Sequence, residues 1–114
     1  MLLFRIFLIA VFITIAIYTL IVGLNHGWNL VPVFFGDISQ LAWPGQFNLD
    51  FLTFLLLAAL WVMWRHEFSS AGIGFGLMTM ACGMLFLSAY LLTVSFRVNG
   101  DVRALLLGGR THVS

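Results

Sequence analysis

The chain has 114 residues, of which 62% are hydrophobic and 8% charged, and its mean hydropathy is +1.10. A soluble domain carries about 25% charged residues, so this chain has too little polar surface to cover itself in water and leaves no room for a soluble catalytic domain beside its apolar segments. The net charge of +1, with no run of Lys or Arg, excludes nucleic acid as a partner, because neutralising phosphates takes clustered cations. Cys82 is the one cysteine, which excludes an internal disulfide, and no Cys/His spacing fits a zinc site.

The first predicted element is a span over about Leu2–Leu24, interrupted only by Arg5, Thr14 and Thr19. At ~1.5 Å per residue it reaches roughly 35 Å, enough to cross hydrocarbon with Arg5 snorkelling at its end. Its apolar stretch is too long for a signal core and no small-x-small site closes it, so it reads as a retained span. Between it and the next span, residues 31–43 place Phe34, Ile38, Leu41 and Ala42 at helical spacing, with Asp37, Ser39 and Gln40 turned elsewhere. That pattern predicts a short helix in the headgroup region, anchored by Trp28 and Trp43.

The second span covers about Gln46–Arg65, with its helix opening near Pro44, which suits a first turn because its missing N–H is not needed there. Five Leu, two Phe and Val62 in its apolar run roughly offset the insertion cost of one Asp. Trp61 and Trp64 then fall at the far interface, with Arg65, His66 and Glu67 outside it. The third span, about Ala71–Phe96, carries no charge and is long enough to cross with some tilt; Ser69 or Ser70 caps it. The tail 97–114 opens a short amphipathic piece at Asp101, with Val102, Leu105 and Leu106 on one face and Gly108-Gly109 as its stop. The expectation is an all-α membrane protein of three transmembrane helices, in a single membrane domain.

Three crossings would put Met1, Arg5, Arg65, His66 and Glu67 on one side, and His26, Asp37, Asn48, Asp50, Arg97 and the tail on the other. Asp50 is the first candidate for chemistry, because an ionisable group inside a span is costly and often marks an ion or substrate path. A structural reading stands beside it: the helix dipole favours Asp in an early turn, Asn48 is placed to cap it, and Arg97 would neutralise it from the end of the third span. Arg5 with Glu67 would pair on the opposite side. Arginines are nearly balanced between the two sides, which leaves orientation almost undecided, with a slight lean towards a cytoplasmic tail.

Gly72, Gly76, Thr79 and Gly83 follow spacings of four, three and four, one face of the third span on which another helix can approach closely. That face serves either internal packing, with Ala16, Thr19 and Gly23 opposite, or docking of a protein partner or second copy. His26 and His66 lie at opposite interfaces and cannot share a metal or haem within one chain. No Ser/His/Asp triad, phosphate loop or paired carboxylate occurs, so no enzymatic activity, metal or cofactor is expected.

Three stretches resemble uncharacterised bacterial and plant families of short three-span membrane proteins: Trp-Pro-Gly-Gln-Phe-Asn-Leu-Asp at 43–50, Trp-x-x-Trp-Arg-His-Glu closing the second span, and Gly-Asp-Val-Arg-Ala-Leu-Leu-Leu-Gly at 100–108. The resemblance implies the fold, and those families carry no activity to transfer; the expected location is a bacterial inner membrane, multi-pass. Three functions then compete. One is an accessory subunit acting by helix packing among membrane lipid. Another is a homo-oligomeric ion or proton conductor around Asp50 and Asn48. The third is a lipid- or pigment-contacting subunit using Phe12, Phe54, Phe86 and Tyr90.

Overall fold

A computed structural model describes Met1–Gly109, and all regular structure among these residues is helical. The end of the predicted tail, 110–114, lies outside the described residues. Helix α1 runs Leu2–His26 and stops at Gly27, whose φ of +86° suits glycine and whose N–H bonds Gly23 O at 2.9 Å. Just beyond it the Trp28 ring folds back over Gly23, where any Cβ would collide with it.

Helix α2, Leu30–Ser39, and helix α3, Trp43–Arg65, form an antiparallel pair, with Pro44 in the first turn of α3. Gly45 lets the backbones meet, since a Cβ there would strike the Asp37 carbonyl, and one turn on Asn48 Nδ2 donates to Phe34 O at 3.1 Å. The short helix expected at 31–43 therefore exists, but it is packed along the first half of α3.

The predicted third span is not built as one helix. Helix α4, Ser70–Cys82, capped by Ser69 Oγ accepting from Gly72 N at 3.2 Å, ends at Gly83, and helix α5, Met84–Arg97, leaves in the reverse direction. Gly83 has φ +60° and ψ −136°, a backbone region open to glycine and closed to residues with a Cβ. The reversal brings the Phe75 ring to within 6.3 Å of Phe86 and 5.7 Å of Tyr90; one continuous helix would hold Phe75 and Tyr90 about 22 Å apart. At ~20 Å each, α4 and α5 are too short to cross ~30 Å of hydrocarbon. Two helices, α1 and α3, are long and apolar enough to cross a membrane.

The reversal rearranges the two ends. Helix α5 packs along α1 and returns to where α1 starts: Arg5 Nε donates to Ser95 Oγ at 3.0 Å, Arg5 Nη2 donates to Ser95 O at 2.9 Å, and the Arg5 guanidinium lies 4.0 Å from the Phe96 ring centre. Helix α6, Val102–Leu107, N-capped by Asp101, folds onto the end of α3. Arg5, Arg65, Arg97 and Arg103 thus gather at one end of a body 47 Å long. The core lies there too, formed by Val62, Tyr90, Val94 and Leu105 with Phe4, Trp61 and Phe86 around them. Asp37, Asn48 and Asp50 belong to the other half, where α2 meets α3.

Candidate functional site

The arginine end is organised by one side chain. Arg65, in the last turn of α3, is only 6% exposed, and a guanidinium can be buried only where its five N–H groups find acceptors. The last turn of α6, where carbonyls run out of partners within the helix, supplies two of them, one being the Ala104 carbonyl that also accepts the Gly108 N–H. Arg65 Nε donates to Leu105 O at 2.5 Å and Nη2 to Ala104 O at 3.3 Å, while Trp61 Nε1, one turn earlier on α3, donates to Leu106 O at 3.1 Å. A cation at a helix C-terminus also opposes the negative end of the helix dipole. Gly108 closes the joint: its φ is +56°, and a Cβ would run into the Arg65 side chain and carbonyl.

From Arg65 the hydrogen bonding continues inward. Nη1 donates to the Tyr90 hydroxyl at 3.3 Å, and that hydroxyl lies 2.6 Å from His66 Nε2. Arg65 only donates, so the consistent arrangement has the Tyr90 hydroxyl donating to a neutral His66 Nε2. Partial burial, and then the neighbouring Arg65 charge, push the His66 pKa below its ordinary value, which keeps the ring neutral. His66, Phe75, Phe86 and Tyr90 form a cluster with ring centres 5.2 to 6.3 Å apart. Beside it opens a groove of about 340 Å³ lined by Arg65, His66, Tyr90 and Arg97 at its polar side and by Phe75, Phe86 and Val94 at its apolar side.

The residues predicted from sequence are distributed differently. Arg97 does not reach Asp50: it lines the groove with Arg65, because the chain reverses at Gly83. Asn48 is engaged by the Phe34 carbonyl, and Asp50 is exposed on α3, one residue before Phe51, whose ring touches Gly83. Arg5 binds Ser95 and Phe96 instead of Glu67. Gly72, Gly76 and Thr79 are buried, Gly72 facing His66 and Gly76 facing Met63, so this face is filled by α3 of the same chain; Gly83 is the turn itself. Of the four aromatics proposed as a cofactor face, Phe86 and Tyr90 stack at 5.8 Å while Phe12 and Phe54 point outward. Trp28 and Trp43 stand at one end and Trp61 and Trp64 at the other.

Sequence reasoning missed Arg65 and Tyr90 as partners and missed Ser95. A signal for Arg65 was present: Trp61 and Arg65 are spaced i, i+4, two long donors on one helix face with a Gly-ended helix later in the chain. Comparison with protein-family models, with curated proteins and with solved structures finds no match.

Proposed function

We propose that the chain is a multi-pass membrane protein in which α1 and α3 cross the bilayer and α4–α5 dips in and returns, and that it serves as an accessory subunit of a larger membrane assembly, acting through helix packing with no enzymatic step of its own. The two Trp pairs support this placement. Trp43 and Trp61 are ~27 Å apart along α3, close to the hydrocarbon thickness that aromatic belts flank. With four of the chain's five arginines at one end, and the fifth outside the described residues, the positive-inside rule orients that end to the cytoplasm. The resemblance carried by residues 43–50 and 100–108 fits a bacterial inner membrane.

One observation carries the accessory role. At the turn of the hairpin, α5 begins with no side-chain cap on its first N–H groups, and at the same depth Asp50 stands exposed on α3. Hydrocarbon satisfies neither backbone N–H groups nor a carboxylate, so this level calls for another helix or a second copy of the chain. Native mass spectrometry of the protein released from its own membranes tests this. The expected result is a particle containing a further protein or several 12.8 kDa chains; a single chain with lipid alone would overturn it.

The same observation favours a second reading, an oligomeric ion or proton conductor in which water reaches Asp50 past the hairpin turn. Vesicles containing the protein would then show ion or proton flux that Asp50→Asn abolishes. Equal flux in both, or none in either, removes that reading.

A further inference from the structure

The groove at the arginine end has a polarity gradient along a single helix face. Phe86, Tyr90, Thr93 and Arg97 follow one another at three- and four-residue spacing on α5 and all line it. From Phe86 to Arg97 the helix rises ~16 Å, starting near the middle of the bilayer and ending at headgroup level in the placement proposed above. The deep wall is aromatic, made by Phe75 and Phe86, whose rings stack 6.3 Å apart. The shallow wall is cationic. Arg65 spends three of its N–H directions on Leu105, Ala104 and Tyr90, which leaves two. Arg97 is exposed and makes no hydrogen bond to the described residues. Among the described residues no carboxylate lines the groove.

We propose that this groove binds an anionic phospholipid of the cytoplasmic leaflet, its phosphate held between Arg97 and Arg65 and one acyl chain lying against Phe75 and Phe86. A free inorganic anion would leave the aromatic wall without a partner, and a zwitterionic headgroup would bring an ammonium against two guanidiniums. The planar guanidinium is suited to phosphate oxygens. Thr93 and Arg97, which line the groove, are exposed on α5, so a lipid can reach it without unfolding the hairpin. The inference rests on the membrane placement of the proposed function and is independent of the assembly's composition.

The test is native mass spectrometry of the purified full chain titrated in neutral detergent with phosphatidylglycerol or with phosphatidylcholine of the same acyl chains. One phosphatidylglycerol is expected to be retained per chain, about fivefold or more over phosphatidylcholine, and Arg97→Gln should lower that preference about fivefold, the effect of one arginine on an anionic lipid. Arg97→Lys should keep most of it. Ala89→Trp, which fills the apolar half, should reduce both lipids together. Equal retention of the two lipids, or a preference unchanged in Arg97→Gln, would overturn the proposal. So would displacement of the lipid by inorganic phosphate, which would identify a free-anion site. A particle that proves to be a single chain sinks the accessory role yet leaves the lipid preference readable. A chain that stays folded in water without detergent or lipid sinks both.

Discussion

The two halves of this molecule hold their polar groups in opposite ways. At the arginine end three long polar side chains are engaged by main chain from a distant segment: Arg5 by Ser95, Arg65 by Ala104 and Leu105, Trp61 by Leu106. In the other half one long-range side-chain bond, Asn48 to Phe34, ties α2 to α3, and Asp50 stands exposed. The contrast teaches where a small, strongly apolar helical chain places its rigidity. Burying a guanidinium against helix-end carbonyls satisfies both partners at once, and it fixes three segments far apart in sequence. The half without such a joint is the half in which a carboxylate, Asp50, stands exposed.

Substitutions can break or sharpen that contrast. The largest effect belongs to Arg65→Met, which strips the α6 carbonyls and the Tyr90 hydroxyl of their donor. With charge-assisted hydrogen bonds worth about 1.5–3 kcal/mol each, a loss of about 3 kcal/mol or more is expected in equilibrium unfolding from mixed micelles, together with faster proteolysis across 98–107. Gly83→Ala comes next. Its φ of +60° with ψ −136° makes a Cβ cost about 1–3 kcal/mol, and spin labels at Ala71 and Thr93 should report a longer, broader distance as the hairpin opens. In the sparser half, Asn48→Ala should cost only about 1 kcal/mol, and Asp50→Asn should leave the unfolding of the isolated chain unchanged.

The smallest effect is pH dependence at His66. Its folded pKa lies below the ordinary value, so the unfolded chain takes up the proton first, and stability falls as pH drops below about 6.5. Above that value the ring is neutral in both states and the contribution is constant. A His66→Gln variant should show a flatter acid limb in the same unfolding assay; an unchanged limb would assign the acid sensitivity to other groups.

Helical class, the length and apolarity of α1 and α3 and the presence of α2 were legible because apolar length and periodicity are local properties. The reversal at Gly83 was not. Glycine is common in membrane helices and Ala71–Phe96 has the length of a crossing, so hydropathy alone reads it as one helix. The sign of the turn is a backbone torsion at one residue, and only the packing of Phe75 against Phe86 and Tyr90, eleven and fifteen positions away, shows its direction. That single reversal moved Arg97 from Asp50 to Arg65. It also turned a near-balanced arginine distribution into a one-sided one among the described residues, and it put the small-residue face inside the chain. The polar site was therefore illegible in proportion to its dependence on topology: Asn48, close in sequence to its partner helix, was placed in the correct half, while the partners of Arg65 lie 25 to 40 positions away.

The arrangement is tested most directly by side-specific labelling in sealed membrane vesicles. In a Cys82→Ser background, single cysteines at Phe68, Asn99 and Leu41, all exposed, are treated with a membrane-impermeant maleimide from each side. A returning hairpin predicts that Phe68→Cys and Asn99→Cys are labelled from the same face and Leu41→Cys from the other. Labelling of Phe68→Cys and Asn99→Cys from opposite faces would mean that the segment between them crosses, and would contradict the fold on which the arginine cluster and its groove depend.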